Sequence, residues 1–292
     1  MAGRSEAGPT VLRILLGAQL RRLRERAGVT RSDAGWAIRA SESKISRMEL
    51  GRVGFKERDV EDLLSLYGVS EAGERARLLE LARDANDRGW WHRYSDVTPD
   101  WFDAYLGLEA AAELIRTYEI QFVPGLLQIP QYTRAVARLT SGAERSETEI
   151  DKVVALRKTR QAVLDRDPPL RLWAVVEESV LWRPIGGTEV LRSQLTSLIE
   201  AIRRPNITLQ IIPLGSAGHA ATGGAFSVLR FPQHDLPDVV YLEHLTSALY
   251  LDKNDDIDAY THVLDNLAVS GPPPQQAEEQ LTAILRKLDS GP

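Results

Sequence analysis

The stretch SESKISRMELGR, residues Ser41–Arg52, combines a polar first turn with two apolar residues and a glycine near its end. Ser41 is a favourable N-cap, so a short helix is predicted to begin there and to stop near Gly51. Ile45 and Met48 are three positions apart and fall on one narrow edge of that helix. A helix that only fills a core has a wider apolar stripe. The pattern therefore predicts a helix that is held by one edge and exposes the others.

A second short helix is predicted just before it, at Arg31–Ile38. Thr30 precedes this helix, and Asp33 completes a pattern that resembles a capping box. Two short helices joined by a tight turn have the form of a helix-turn-helix, whose second helix enters the major groove of DNA. The residues expected to bury the inner edges of the pair are Ala34, Ile38, Ile45 and Met48.

Three further helices are predicted around this pair, at Val11–Ala27, Glu57–Tyr67 and from a cap at Ser70 to about Arg88. Leucines recur at helical spacing in the first of them, and Gly28 is placed to cap its C-terminus. The sequence therefore predicts an all-helical N-terminal domain of five helices.

The pattern changes after Pro168-Pro169, where apolar strand-like runs alternate with helical ones. The predicted fold class is α+β, with a four- or five-stranded mixed sheet in a C-terminal body. A helix is also predicted at Asp100–Arg116, followed by a short extended piece. The predicted organisation is a DNA-binding domain at 1–88, a helical connector at 89–168, an α+β domain at 169–270, and a linker with a final helix at 271–292.

Charge is distributed unevenly along the 292 residues. Residues 1–70 have a net charge of +4 and the remainder has −9, which indicates a basic module joined to an acidic body. The chain has no cysteine, so disulfides and thiolate metal sites are excluded. No apolar stretch approaches the ~20 residues of a membrane helix, and a signal-peptide pattern is absent. We expect a cytoplasmic protein.

The stretch at Ser41–Arg52 resembles the recognition helix of lambda-repressor-like regulators of the xenobiotic-response-element (XRE) type. The resemblance extends over nearly the whole chain, through the phrases LGAQLRRLRERAGVT, DVEDLLSLYGV, RGWW, VPGLLQ, RPIGG and DVVYLEHL. Together they resemble a large actinobacterial family that joins this domain to an uncharacterised α+β domain, the Scr-type antitoxin-like transcriptional regulators. The resemblance implies a nucleoid-associated regulator controlled by a small partner protein from a neighbouring gene.

The predicted DNA-contact residues all lie in the two helices or directly after them. Base edges are assigned to Glu42, Ser43 and Lys44, because Lys suits guanine acceptors and Glu a cytosine amino group. Arg47 suits either a base or a phosphate. The full set is Arg31, Ser32, Ser41, Glu42, Ser43, Lys44, Arg47 and Arg52, with Arg31, Ser32 and Arg52 assigned to phosphates of double-stranded DNA. A two-fold homodimer is expected to bind half-sites about 34–36 Å apart.

Four positions depart from the family pattern, and one of them is Ala34, which replaces the usual Leu and thins the core. Arg31 replaces the usual Gln and is a stronger phosphate partner. Gly35 replaces the usual Ala, which lowers helix propensity by about 1 kcal/mol. Arg39 occupies a turn position that usually carries Gly with positive φ, and a side chain there costs about 1 kcal/mol.

Other functions find less support in the spacing of residues. His219, in GHAATGGAF, fits neither a P-loop nor a dinucleotide fingerprint, and a turn between strands is expected there. No metal-binding spacing of the H-E-x-x-H kind occurs, so no metal, cofactor or catalytic residue is assigned. Two alternatives stay open: a metabolite-sensing regulator with a small-molecule pocket in the body, and an enzyme attached to a DNA-binding domain.

Overall fold

A computed structural model describes residues 9–87, 89–99, 101–141, 145–216, 218–221, 223–232 and 236–289. Its contacts divide the chain into two compact units. The first contains the described residues of 1–93, 103–111 and 233–236, and the second those of 94–102, 112–232 and 237–292. The predicted domain boundaries after residues 88, 168 and 270 remain predictions.

The first unit is built from helices. They are α1 (Pro9–Arg26), α2 (Arg31–Ala37), α3 (Glu42–Glu49), α4 (Glu57–Leu66), α5 (Ala72–Ala85) and most of α6 (Phe102–Ala111). The five predicted helices of this region are confirmed, with ends that either coincide or differ by up to three residues. The cap of α5 is the exception, because Glu71 and not Ser70 accepts the first amides, those of Gly73 and Glu74, at 3.0 and 2.9 Å. The predicted end near Arg88 lies outside the described residues.

Local capping chemistry sets the starts and stops of these helices. Gly28 follows α1 with a φ of +67°, a conformation that glycine adopts without steric cost. The Thr30 side chain accepts a 3.1 Å hydrogen bond from the Asp33 amide and caps α2. The Ser41 side chain accepts from the Lys44 amide at 3.3 Å and caps α3. These are contacts between near neighbours in sequence, which is why the sequence pattern located them.

One apolar core joins helices α1 to α5 of the first unit. It includes Leu16 and Leu20 of α1, Ala34 of α2, Ile45 and Met48 of α3, and Val60, Leu63 and Leu64 of α4. All of these side chains are buried, and Ile38 at the end of α2 joins them. The prediction that Ala34, Ile38, Ile45 and Met48 hold the two short helices is therefore confirmed.

The second unit combines helices with a six-stranded mixed sheet. Its helices are α7 (Pro130–Ser141), α8 (Glu147–Gln161), α9 (Thr188–Ala201), α10 (Asn254–Ser270) and α11 (Ala277–Asp289). Its strands are β1 (Leu114–Glu119), β2 (Arg171–Glu177), β3 (Ile207–Ile212), β4 (Phe226–Arg230), β5 (Val239–Glu243) and β6 (Ala248–Leu251). The α+β fold class is confirmed. Among the described residues, no helix has both the length and the apolar character to cross a membrane.

The strand order is β3-β2-β1-β4-β5-β6. The β1–β2 and β2–β3 pairs are parallel, and the other three are antiparallel. Parallel neighbours need long crossover connections, which α7 and α8 provide between β1 and β2, and α9 between β2 and β3. Buried residues of one sheet face, such as Val175 and Val240, pack with Leu264 and Leu267 of α10.

The prediction of a helix through Arg116 is wrong at its end, because residues 114–116 belong to strand β1. This strand lies at the centre of the sheet, where Ile115 pairs with Leu172 on one side and Leu229 on the other. Pairing with two distant segments outweighs the local helical pattern. Counting β1, the sheet has six strands instead of the expected four or five.

Candidate nucleic-acid interface

The turn between α2 and α3 is tight. Arg39 has a φ of +53°, as its position in the turn pattern predicts, and its amide donates to the Trp36 carbonyl at 3.1 Å. The Ala40 amide donates to the Gly35 carbonyl at 2.8 Å. A Cβ atom added at Gly35 would lie only 2.7 Å from the Ala40 carbonyl oxygen. The glycine therefore lets the turn close against α2.

The first turn of α3 presents small polar groups to solvent. Ser41, Glu42 and Ser43 are exposed, and the hydroxyls of the two serines are 2.9 Å apart. Glu42 is the first residue of the helix, where a negative charge interacts favourably with the helix dipole. The start of α3 thus presents hydrogen-bonding groups to solvent.

The two sides of α3 differ sharply in burial. Ile45 and Met48 are each 1% exposed and pack into the core. Ser43 and Arg47 are four residues apart, so they lie one above the other on the opposite side, and both are exposed. The helix is held by one edge and exposes the other, as the sequence predicts.

A buried carboxylate connects the three helices around this surface. Glu49 of α3 has a side chain only 3% exposed and accepts hydrogen bonds from Arg24 of α1 and from Arg31 of α2. The Arg31 contact joins its Nε atom to Oε2 of Glu49 at 2.9 Å. Hydrogen bonding to Glu49 raises the pKa of Arg24 above its usual range. Because a guanidinium has five N–H donors, Arg31 keeps donors for a phosphate while it binds Glu49.

Lys44 has a different position from the other predicted base contacts. Its ammonium Nζ atom lies 2.6 Å from Oδ2 of Asp59, which belongs to the first turn of α4. Lys44 is half-buried, whereas Ser32, Arg47 and Arg52 are exposed. The structure therefore leaves six of the eight predicted residues exposed, whereas Arg31 and Lys44 are each half-buried and held by an ion pair.

Sequence reasoning missed three features of this surface. Asp59 and the joint role of Glu49 depend on contacts between residues 15 to 25 positions apart. A signal existed for Glu49, since an acidic residue stands at a helix position that faces the core. Trp36 of α2 is 86% exposed, four residues after Ser32 and thus on the same helix face.

The second unit contains a hydrogen-bonded cluster at the carboxyl ends of β1 and β2. Glu177 accepts from the Tyr118 hydroxyl at 2.8 Å, and its Oε1 atom is 2.8 Å from Nε2 of His219. The Ala221 amide donates to Nδ1 of His219, which leaves the proton of the neutral ring on Nε2. His219 lies between β3 and β4, as expected, and is anchored to the sheet. No cluster of three metal-ligating residues occurs among the described residues.

Two adjoining open grooves of about 320 and 590 Å³ also lie on the second unit. Both are lined by Leu139, Arg183 and Ile185. The Arg183 side chain donates to the carbonyls of Ile120 and Gln121, each at 3.1 Å, so its guanidinium is fixed at the edge of the grooves.

The geometry of α2 and α3 defines a helix-turn-helix protein, a class of DNA-binding regulators. Comparison with known families agrees, because residues 15–78 match the family described as helix-turn-helix domain. Residues 102–283, more than half of the chain, match the family described as domain of unknown function (DUF5753), and the chain belongs to that family. No curated protein and no solved structure matches the chain.

Proposed function

We propose that this protein is a sequence-specific transcription regulator that binds double-stranded DNA as a homodimer through α3. The observation that carries the proposal is the exposed Ser43–Arg47 edge of α3, opposite the buried Ile45 and Met48. A major groove about 12 Å wide accepts one helix, and its base edges offer donors and acceptors to such side chains.

The contact roles follow from where each side chain lies. Glu42, Ser43 and Arg47 are proposed to reach base edges, because they occupy the exposed start and outer edge of α3. Arg31, Ser32 and Arg52 are proposed to bind phosphates on either side of the groove. Ser41 is proposed to bind DNA at the helix start while its hydroxyl caps α3.

Control through the second unit is the other half of the proposal. We infer that a small partner protein from a neighbouring gene binds this unit, in the manner of an antitoxin-like XRE regulator of actinobacteria. The family resemblance and the acidic remainder of the chain support this division of labour. The protein is proposed to have no catalytic activity and to act on the nucleoid in the cytoplasm.

A metabolite-sensing regulator is the second candidate, favoured by the groove beside Arg183. A cation fixed by two carbonyls at the edge of an apolar groove suits a small amphipathic anion. Native mass spectrometry of the purified full chain separates the two candidates. A retained small molecule favours the sensor, and a stable complex with the co-expressed neighbouring-gene protein favours partner control.

Selection from a random-sequence duplex library tests the main proposal. The full chain should enrich one palindromic sequence whose half-sites are one helical turn apart, about 34–36 Å. Failure to enrich any sequence, with retention of folded protein, would refute sequence-specific binding.

A further inference from the structure

Lys44 and Asp59 form an ion pair that links the first turns of two helices. Their Nζ and Oδ2 atoms are 2.6 Å apart, and the side chains are 31% and 13% exposed. Lys44 is the third residue of α3 and Asp59 the third residue of α4. The pair is therefore partly shielded from solvent, unlike a surface ion pair.

The electrostatics of the two helix starts favour this pairing. A carboxylate in the first turn of α4 is stabilised by the positive end of that helix dipole. A lysine in the first turn of α3 lies at the positive end of the α3 dipole, which disfavours its charge. Pairing with Asp59 offsets that repulsion, so Lys44 gains more from the contact than a lysine in mid-helix would.

The position of Lys44 on α3 also separates it from the exposed edge. Successive helix residues are rotated by about 100°, so Lys44 lies well away from Ser43 around the axis. Ser43 and Arg47 lie at the centre of the exposed side, while Lys44 lies on the flank next to α4. While the ion pair is closed, Asp59 holds the Lys44 ammonium on this flank, and any phosphate that approaches the ammonium also approaches the Asp59 carboxylate.

We propose that Asp59 holds Lys44 away from the duplex and thereby limits sequence-independent DNA binding. The inference rests on the proposed DNA-binding function and concerns its regulation. A lysine free to reach phosphates would strengthen binding to every sequence equally, because phosphates are the same at every site. Restraint of Lys44 therefore increases the fraction of the binding free energy that comes from Glu42, Ser43 and Arg47.

The test compares Asp59→Asn with the wild-type full chain on a random-sequence duplex over a series of NaCl concentrations. If Asp59→Asn releases Lys44 to one phosphate, the slope of log K against log salt steepens by about 0.9 per protomer. Affinity for random sequence should rise several-fold at low salt. An unchanged slope overturns the proposal.

Lys44→Met provides the matched variant, since it keeps the aliphatic stem without the charge. Alone, it should leave the wild-type salt slope unchanged, because Lys44 makes no phosphate contact. In the double variant with Asp59→Asn, the steepening should disappear. Steepening that persists without Lys44, or a slope flattened by Lys44→Met alone, contradicts the proposal.

Two further measurements keep the outcomes distinct. Thermal unfolding of each variant identifies a folding defect, and if Asp59→Asn fails to fold, Asp59→Ala replaces it in the same salt series. Wild-type protein that binds no duplex refutes the proposed function itself. If the wild-type protein binds DNA and the variants do not change the slope of log K against log salt, only the proposed role of Asp59 is refuted.

Discussion

Glu49 binds Arg31 through a 2.9 Å contact between its Oε2 atom and the arginine Nε atom. The same carboxylate also binds Arg24, so one buried anion ties α1, α2 and α3 together. The contact fixes the start of α2, where the phosphate-binding residues are proposed to lie. Arg31 thus stabilises the fold in addition to its proposed phosphate contact.

Glu49→Gln should lower the free energy of unfolding of the first unit by about 3 kcal/mol. Removing one partner of a buried ion pair is strongly destabilising, and here the buried Arg24 would keep only a 3.4 Å ion pair with the exposed Glu25. Chemical denaturation measures the change. Asp62→Asn is the control, because Asp62 pairs only loosely with Arg58 on the surface of α4 and should cost under about 1 kcal/mol. Equal losses in both variants would contradict the central role of Glu49.

Arg47→Ala should weaken binding to the selected duplex by about 1–3 kcal/mol, or roughly five- to 150-fold. Arg47 lies on the exposed side of α3, and its truncation leaves the core residues in place. Fluorescence anisotropy with a labelled duplex measures the affinity. Arg77→Ala removes the same charge from the exposed side of α5 and should have little effect. If both variants lose affinity equally, α3 is not the reading helix.

Affinity for DNA should fall steeply as salt rises. If Arg31 and Arg52 each neutralise one phosphate in both protomers of a dimer, log K should decline against log salt with a slope of about −4. Titrations across a range of NaCl concentrations give this slope directly. A flat response would count against the assigned phosphate contacts.

Glu119 should make the stability of the second unit depend on pH. Burial raises the pKa of Glu119 to about 7, and the charge of Glu243 adds to the rise, while the 3.3 Å hydrogen bond from Thr117 opposes it. The folded state therefore holds this proton more tightly than the unfolded state. The resulting stabilisation is complete below about pH 4.5 and is lost as the pH rises through about 7.

Chemical denaturation at pH 4.5 and pH 8 tests this contribution. Relative to Glu119→Gln, the wild type should lose up to about 3 kcal/mol between these values. Glu279→Gln, at an exposed position of α11, should behave as the wild type does. Identical pH dependence in the wild type and Glu119→Gln would show that the proton on Glu119 does not affect folding.

The helices of the first unit could be predicted because their boundaries are set locally. Gly28, Thr30 and Ser41 act on amides or conformations within a few residues, and those signals are visible in the sequence. The exposed edge of α3 followed from the spacing of Ile45 and Met48. The fold of this region and most of its candidate site can therefore be predicted from the sequence alone.

Long-range pairing explains what sequence reasoning missed. Strand β1 is defined by its neighbours β2 and β4, which come more than fifty residues later in the chain. The local sequence pattern alone predicts the end of a helix at the first residues of β1. In the same way, the attachment of Lys44 to Asp59 depends on how α4 packs beside α3, and no local signal reports that packing.

Site-directed photocrosslinking tests the central claim most directly, because the chain has no cysteine of its own. Ser43→Cys and Arg77→Cys each introduce a single thiol that can be labelled with maleimidobenzophenone. Irradiation of the complex with the selected duplex should crosslink the Ser43→Cys protein to bases of a half-site and leave Arg77→Cys uncrosslinked. Crosslinking from Arg77→Cys alone, with full DNA binding in both variants, would contradict insertion of α3 into the major groove.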